Sequence, residues 1–236
     1  MTSKIEAAAN ETDFAFPILT ADGVIFQLVD DKPAVLLIKR AFEPFLNVWA
    51  LPGGYISKDE TSLKALNRVL VEKTGISSRE CSIIGQPFAF DSPGRDPRGY
   101  AITIMYIGLG RGLVPGADPG MTNGQAPTFW SLDKLPELAY DHAEIIAHAQ
   151  AQLRALALHT NVLAALLPPS FTLSRLQTVY EFLFGKPFDK RNFRKKILAL
   201  DIVELTGDMV HEGAHRPAQA YRFKQAVSQN SPQRFI

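Results

Sequence analysis

The sequence predicts two parts of different architecture, a mixed α/β domain followed by a small helical domain that ends in a β-hairpin. Two observations support this prediction. Strand-like and helix-like segments alternate over residues 17–160, whereas two helical segments and a hairpin follow the prolines at positions 168 and 169. The charge divides at the same point: residues 1–167 hold 14 Lys/Arg and 18 Asp/Glu, a net of −4, and residues 168–236 hold 11 and 6, a net of +5.

The composition is that of an ordinary globular protein. Of 236 residues, 46% are hydrophobic and 21% are charged, which excludes a disordered or collagen-like chain. Cys81 is the single cysteine, so neither an intramolecular disulfide nor a cysteine zinc site is expected. No apolar run reaches the roughly 18 residues of a membrane helix, and the chain starts without a signal peptide. We expect a cytoplasmic protein with no membrane partner, with a flexible tail at 1–16 and domains at 17–160 and 161–236.

The first domain is predicted to combine strands with two helices. Residues 18–29 and 34–39 are strand-like and are separated by a turn-like Asp-Asp-Lys-Pro segment, which predicts a hairpin. In residues 60–74, leucines recur at i, i+3 and i+7 ahead of Gly75, which predicts an amphipathic helix. Further strands are expected at 82–90, 100–109 and 128–130, and a helix at 141–158.

The second domain has the element order of a DNA-binding motif. Helical periodicity predicts helices at 172–184 and 189–200, joined by a short turn at 185–187 that contains Gly and Pro. A hairpin is expected from residues 202–206 and 220–223. Helix, turn, helix and hairpin in this order are the layout of a winged helix-turn-helix.

The second of these helices carries an apolar stripe and a basic stripe. Its apolar positions recur at i, i+4 and i+7 from Phe193, and Arg191, Arg194 and Lys195 line the other side. Such a helix fits the major groove of DNA, where the amide of Asn192 suits adenine. A docking surface for another protein is the alternative. The candidate DNA-binding residues are Lys190, Arg191, Asn192, Arg194, Lys195 and Lys196 on this helix, and Arg216 at the tip of the wing.

A spaced motif lies in the acidic first domain. Gly54-x5-Glu60-x7-Arg68 is followed by Glu72 and by Gly75-Ile76. This pattern resembles the Nudix box, G-x5-E-x7-R-E-U-x-E-E-x-G-U, in which U is aliphatic. The resemblance implies the Nudix α/β/α sandwich from about residue 17 to residue 158. It also implies a helix whose glutamates hold Mg²⁺ against a pyrophosphate, because a hard dication takes oxygen ligands.

The chain departs from this box at the positions that hold metal in the family. Val69 and Lys73 stand where glutamates are expected, which leaves Glu72 as the only carboxylate on the stripe that positions 69, 72 and 73 form. A lysine here repels a dication. We therefore predict no metal site and no catalytic residue, and a domain that binds its ligand without cleaving it, so that the chain is not an enzyme. Arg68 and Glu72 are expected to form an ion pair that supports the loop.

Candidate ligand-binding residues lie in and near a loop that two prolines stiffen. Arg95 and Arg98 stand three positions apart within residues 91–100, and Arg40 lies at the end of the second strand. Guanidinium groups suit phosphate oxygens, and Trp49 offers a face for a base or ribose. The loop resembles that of Nudix proteins that act on ADP-ribose and of their regulatory relatives. Alternatively, the loop's own aspartates balance the arginines, and the aromatic residue belongs to the core.

Asp141, Phe88 and Phe90 are expected to have structural roles, although each of them could also contact a ligand. Asp141 and His142 are possible ligand contacts, but Asp141 is expected to be the N-cap of the following helix, because an aspartate side chain accepts hydrogen bonds from the first turn. Phe88 and Phe90 are also available to stack on a base, and for them a place in the hydrophobic core is favoured.

The two halves together resemble the Nudix-related transcriptional regulators of NAD metabolism over nearly the whole chain, through the degenerate box and the basic helix at 189–196. This resemblance implies a homodimer that binds a palindromic double-stranded DNA operator near genes of NAD biosynthesis or salvage. It also implies a repressor whose effector is ADP-ribose or a related nucleotide, with no other cofactor.

Two other interpretations stay open at the level of sequence. The first is an active pyrophosphohydrolase of the ADP-ribose class, whose basic second domain is an interaction module. The second is a regulator of the same architecture that responds to a sugar, since related Nudix-like regulators serve sugar catabolism. Hydrolysis assays distinguish the first from a repressor, and calorimetry with ADP-ribose and with pentoses distinguishes the second.

Overall fold

The structure is a computed structural model that describes residues 16–77, 79–116, 125–158, 160–210 and 217–224. The expected tail, apart from Phe16, lies outside these ranges. Among the described helices, none is long and apolar enough to cross a membrane. The elements are β1 (Ile18–Val29), β2 (Lys32–Lys39), β3 (Trp49–Ala50), β4 (Gly53–Tyr55), α1 (Ser62–Thr74), β5 (Cys81–Phe90), β6 (Ala101–Gly110), β7 (Thr128–Ser131), α2 (His142–Ala157), a 3₁₀ turn (Val162–Ala165), α3 (Leu173–Phe184), α4 (Lys190–Ala199), β8 (Val203–Val210) and β9 (Ala218–Phe223).

The strands β1 to β7 form one mixed sheet. Its main path has the order β3-β2-β1-β6-β5, while β4 pairs with β1 and β7 pairs with β2. The central neighbours β1 and β6 are parallel, from Ile18 opposite Ala101 to Phe26 opposite Leu109. The other pairings are antiparallel.

Alternate residues of β1 face different helices, because successive side chains of a strand point to opposite faces of the sheet. Ile25 belongs to a cluster with Leu66 of α1. Its neighbours Val24 and Phe26 belong to a second cluster with Ile145 of α2. The sheet therefore lies between α1 and α2, and the predicted α/β/α sandwich is confirmed.

The second domain has the predicted winged helix-turn-helix arrangement. Side-chain caps begin both helices: the Thr172 hydroxyl accepts from the Arg175 backbone N–H at 3.0 Å, and the Asp189 carboxylate accepts from the Asn192 N–H at 2.9 Å. Phe193 of α4 is buried, and β8 and β9 form a separate two-stranded sheet. The predicted fold class is thus confirmed in both halves.

A single cluster of buried side chains extends from the sheet into the winged helix. It includes Val35 of β2, Leu153 of α2 and Leu176 and Tyr180 of α3. The Tyr180 hydroxyl also donates to the Ala157 carbonyl at the end of α2, at 3.3 Å. The two domains therefore share apolar packing and are not joined by a loop alone.

The structure adds two short strands and a longer wing to the predicted elements. β3 and β4 have two and three residues and lie within residues 49–55, which the sequence pattern presents as a loop; pairing with β2 and β1 makes them strands. β8 continues past residue 206 to Val210, because the register shifts between Leu205 and Met209 around Gly207, whose φ is +88°. Glycine inside a strand marks such a bulge, whereas the sequence pattern predicted an end there.

Candidate functional sites

A cavity of about 280 Å³ opens beside the sheet, where β1, the end of β2, β4, the last turn of α1, the loop after β5 and the start of α2 meet. Elements that are distant in sequence therefore contribute to one site. The charged and aromatic side chains that line it are Asp22, Arg40, Phe42, Glu43, Tyr55, Lys73, Arg95, Asp96, Arg98, Tyr140 and His142.

Arg95 is held by a buried ion pair. Its Nε and Nη2 atoms donate to the two carboxylate oxygens of Asp141, each at 2.8 Å, and the Arg95 side chain is 5% exposed. Asp141 stands at the N-cap position of α2, but its side chain makes no cap hydrogen bond. The expected capping role is therefore corrected: the guanidinium group engages both carboxylate oxygens, and the pair ties the loop after β5 to α2.

Arg40 and Arg98 lie against the ring of Tyr140, with guanidinium carbons 4.8 and 5.9 Å from its centroid. Arg98 pairs with Asp96 at 2.6 Å and donates to the Tyr55 hydroxyl at 2.5 Å. The hydrogen bond from Arg98 lowers the pKa of the Asp96 carboxyl. Arg40 donates instead to two backbone carbonyls of the loop that follows it, at 2.8 and 3.2 Å. The structure thus brings both arginines to the cavity, but Arg98 alone is balanced within its own loop.

Trp49 is not among the residues that line the cavity. It lies in β3, its ring meets Trp130 edge-on with centroids 5.3 Å apart, and the Lys39 ammonium stands 5.8 Å from its centroid. The expectation that Trp49 faces a ligand in this cavity is corrected, because the pairing of β3 with β2 turns the ring toward Trp130. Phe88 and Phe90 pack on each other and on the ring of His148 of α2. Phe90 is buried in the core as expected, but the expectation is wrong for Phe88, which lies 43% exposed at the surface of the sheet.

Tyr140 is a cavity residue that the sequence analysis missed. Its φ of 55° lies in the left-handed region that residues other than glycine rarely adopt. Its buried hydroxyl has no hydrogen-bond partner among the described residues, and burial raises the pKa of this hydroxyl. Buried polar groups are nearly always paired, so this hydroxyl is available to a ligand. No local pattern in the sequence marks the position.

His142 and Asp22 are buried polar residues at the floor of the cavity. His142 Nδ1 accepts a hydrogen bond from the backbone N–H of Leu51 at 2.9 Å, so the neutral ring carries its proton on Nε2. Burial lowers the pKa of this imidazole and favours its neutral form. Asp22 accepts from the Thr103 hydroxyl at 2.6 Å. The available signal for Asp22 was a charged residue inside an apolar strand.

Arg68 organises the remaining carboxylates of the box. Its guanidinium contacts Glu60 at 2.5 Å, Glu72 at 3.3 Å and the backbone carbonyl of Tyr55 at 3.0 Å. The predicted ion pair between Arg68 and Glu72 is confirmed. The hydrogen bond from Arg68 lowers the pKa of Glu60 to about 2. Both carboxylates therefore support the loop at β4 through one cation.

The residues at positions 69 and 73 do not fit the Mg²⁺ that the resemblance implies. Val69 Cγ2 lies 2.8 Å from the point where a Cβ on Gly54 would stand, so an apolar side chain covers the glycine loop. The Lys73 ammonium donates to the Gly53 carbonyl at 2.6 Å, and burial lowers its pKa. In the part of the chain that the structure describes, no three His, Cys, Asp or Glu side chains form a group that could hold a metal ion.

The surface of α4 is the candidate nucleic-acid interface. The six candidate residues on it are all exposed, and none of its five basic side chains forms an ion pair within the described residues. Arg194 also donates to the Tyr221 hydroxyl of β9 at 3.3 Å, which braces the helix against the wing. Arg216 lies outside the described residues. The exposed face of α4 therefore offers uncompensated positive charge.

Comparison with known proteins assigns a family to each half. The NUDIX domain model matches residues 19–149, and the model described as the NrtR DNA-binding winged helix domain matches residues 163–223. The chain is 32% identical to the ADPR-responsive transcriptional repressor NtrR of Acinetobacter baylyi, over 92% of this chain and 86% of that protein. It is 38% identical to an ADP-ribose pyrophosphatase of Methanocaldococcus jannaschii, over 56% of this chain and 73% of that protein.

Solved structures extend this similarity to three dimensions. The crystal structure of Shewanella oneidensis NrtR complexed with a 27mer DNA matches with a TM-score of 0.69 and 32% identity, covering 87% of this chain and 93% of that chain. The NUDIX domain of the same protein complexed with ADP ribose matches with a TM-score of 0.52 and 28% identity, covering 65% of this chain and 99% of that chain. The likeness thus includes both the sheet domain and the winged helix.

Proposed function

The chain belongs to the NrtR family of Nudix-type regulators, and from this premise we propose that it is a transcriptional repressor which ADP-ribose releases from DNA. As such a repressor it acts in the cytoplasm on genes of NAD biosynthesis or salvage. The observation that carries the proposal is the exposed face of α4, whose basic side chains have no carboxylate partner among the described residues. Uncompensated positive charge on a capped helix beside a wing suits the phosphates and base edges of a major groove.

The residues that contact DNA in this proposal are those of α4. Arg191, Asn192 and Arg194 face base edges, and their neighbours Lys190 and Lys196 hold phosphates. A palindromic operator requires a two-fold symmetric dimer, with recognition helices one helical turn of DNA apart. Lys195 contributes to the same face, and Arg216 extends it at the wing tip.

The effector occupies the cavity in this proposal. Arg40 and Arg98 bind its phosphates, while Arg95 positions the loop through Asp141. Tyr140 supplies the free hydroxyl. ADP-ribose then favours a dimer geometry in which the two recognition helices no longer match their half-sites, because a ligand shifts an equilibrium toward the state that it binds more tightly.

A gel-shift experiment tests the repressor proposal. The purified chain is titrated into duplexes from its own upstream region and from promoters of NAD biosynthesis and salvage genes, at low salt. We expect a shifted complex with at least one promoter, and its loss on addition of ADP-ribose but not of a pentose. Absence of a shift with every duplex would contradict DNA binding, and release by a pentose alone would indicate a sugar effector.

The second candidate is an active hydrolase, which the similarity to an ADP-ribose pyrophosphatase favours. We propose instead that the cavity binds without cleaving, since Val69 and Lys73 replace the ligands of a dication. Wild type incubated with ADP-ribose and Mg²⁺ is expected to release no AMP, whereas the double variant Val69→Glu, Lys73→Glu is expected to regain hydrolysis because it restores both carboxylates. Rapid release of AMP by the wild type would establish the hydrolase.

A further inference from the structure

Four cationic side chains line the cavity, but two of them are neutralised within the protein. Arg95 is paired with Asp141, and Arg98 is paired with Asp96. Arg40 and Lys73 also line the cavity, and among the described residues neither forms an ion pair with a carboxylate. The described lining cations that no carboxylate pairs are therefore Arg40 and Lys73, which add to the N–H donors of Arg98 in a cavity that Asp22 and Glu43 also line.

The Lys73 ammonium is fixed at the floor of the cavity. It lies in the last turn of α1 and donates one of its three hydrogens to the Gly53 carbonyl at 2.6 Å. The neighbouring backbone carries no side chain: a Cβ on Gly53 would stand 1.6 Å from an Asp22 oxygen, and one on Gly54 would stand 2.8 Å from Val69 Cγ2. The two glycines thus allow Asp22 and Val69 to pack closely on the loop whose carbonyl the ammonium binds, and the hydrogen bond to Gly53 uses one of the three ammonium hydrogens.

The surroundings of Lys73 contain both like and opposite charge. Burial is the largest cause that lowers its pKa; Asp22 raises the pKa, and the like charge of Arg40 lowers it. Two cations that repel each other across a cavity are both stabilised when an anion enters between them. A diphosphate diester carries two negative charges, which Lys73 and Arg40 together match as one divalent cation would.

We propose that the Lys73 ammonium takes the place of the dication of Nudix hydrolases, so that this cavity binds the diphosphate of its ligand without metal. The inference rests on the proposed function, because it assigns a residue to the ADP-ribose site. In this proposal, the replacement of glutamate by lysine at position 73 has two effects. The lysine both removes a metal ligand and supplies the charge that the metal would have contributed.

Calorimetry in EDTA tests this proposal. Wild type, Lys73→Met and Lys64→Met are titrated with ADP-ribose in EDTA and again in MgCl₂. Lys64 is an exposed residue of the same helix that does not line the cavity, so its variant controls for the loss of one positive charge. We expect equal wild-type affinity in both buffers, a loss of about 10- to 100-fold in Lys73→Met, corresponding to one lost charge-assisted hydrogen bond, and no change in Lys64→Met.

The choice of ligands isolates the diphosphate. Lys73→Met is expected to weaken the binding of ADP-ribose and of ADP by similar factors and to leave the affinity for adenosine unchanged. Lys73→Arg, which keeps the charge, should retain most of the affinity. Thermal unfolding establishes that each variant is folded, and Lys73→Gln serves as a second neutral variant should Lys73→Met fail to fold.

Two results would overturn the inference without contradicting the proposal that the chain is a repressor. One is wild-type binding of ADP-ribose that requires Mg²⁺, and the other is unchanged affinity in a folded neutral variant at position 73. A wild type that shifts operator DNA but binds no ADP-ribose in either buffer would overturn the effector assignment together with the inference. Gel shifts of the wild type with and without ADP-ribose separate these cases, because they measure DNA binding and its response to the effector independently of the variants at position 73.

Discussion

At the scale of single residues, the buried pair of Arg95 and Asp141 is the interaction on which the cavity wall depends. The two side chains are 5% and 14% exposed and are joined by two hydrogen bonds of 2.8 Å. Removing one partner of such a pair leaves the other charge buried without compensation. An exposed ion pair has no comparable effect, because water and salt screen it.

We therefore expect Asp141→Asn to lower the free energy of unfolding by about 3 kcal/mol. The exposed pair of Lys32 and Asp133, 3.8 Å apart, provides the matched control, and Asp133→Asn should cost about 0.5 kcal/mol or less. Urea unfolding of the three proteins measures both differences. Equal stabilities of the two variants would mean that the Arg95 pair is not the buried structural contact described above.

His142 gives the molecule a pH dependence of known sign. Burial lowers its pKa in the folded protein, while the unfolded chain takes up the proton near pH 6.5. The unfolded state therefore binds more protons below that pH, and stability is lost as the pH falls. Between pH 7.5 and 5.5, we expect wild type to lose about 1 kcal/mol relative to His142→Asn, whose amide oxygen replaces Nδ1 as acceptor for Leu51.

Urea titrations at both pH values provide the measurement. Because other titratable groups are common to the two proteins, the difference between wild type and His142→Asn isolates the imidazole. If the two proteins lose stability in parallel as the pH falls, His142 is not the buried neutral ring that the hydrogen bond to Leu51 indicates.

At the scale of elements, α1 and α4 show how one stripe of a helix decides a function. On α1, positions 69 and 73 carry an apolar side chain that packs over Gly54 and an ammonium that binds the Gly53 carbonyl. On α4, Phe193 and Ile197 are buried while the basic residues stay exposed. On α1 a single stripe thus carries both the packing residue and the charge that a ligand meets, whereas on α4 the buried apolar residues and the exposed basic residues lie on different faces.

Arg191→Ala and Arg194→Ala are each expected to abolish operator binding at physiological salt. The melting temperature of Arg191→Ala should equal that of the wild type, because the Arg191 side chain is exposed. For wild type, six neutralised phosphates give a slope of log K against log salt of about −5. Lys64→Ala in the first domain is the control. It should keep both the wild-type affinity for the operator and the wild-type slope of log K against log salt. Wild-type affinity for the operator in either arginine variant would show that α4 does not bind in the groove.

At the scale of the whole molecule, α2 links the cavity to the winged helix. Its first residue, His142, lines the cavity. Near its other end, Arg154 donates to the Leu183 carbonyl of α3 at 2.5 Å, and the Ala157 carbonyl accepts from Tyr180 at 3.3 Å. One helix of 16 residues, about 24 Å long at 1.5 Å per residue, therefore runs from the cavity to α3, the helix that precedes α4.

If ADP-ribose and the operator are coupled, the coupling is reciprocal. We expect saturating ADP-ribose to weaken operator binding by a factor of roughly 5 to 150, and the operator to weaken ADP-ribose binding by the same factor. Gel shifts with and without ligand measure the first factor, and calorimetry on the free chain and on the operator complex measures the second. Operator affinity that is unchanged by saturating ADP-ribose would disprove the coupling.

The sequence by itself determined the features that depend on local spacing. Helical periodicity located the apolar and basic stripes of α4. The spacing of the box identified Val69 and Lys73 as departures, and the i,i+4 pairing of Arg68 with Glu72 follows from helix geometry alone. These predictions succeed because each involves residues within one or two helical turns.

Only the tertiary structure decided which of those side chains act on a ligand. Arg95 and Arg98 look equivalent in the sequence, yet one pairs with Asp141, 46 positions away, and the other with Asp96 of its own loop. Pairing of β3 with β2 turned Trp49 away from the cavity. Tyr140 became a cavity residue through packing alone. The reason is physical: the free energy of a charge depends on its burial and its partners, and strand pairing brings those partners together from distant parts of the chain.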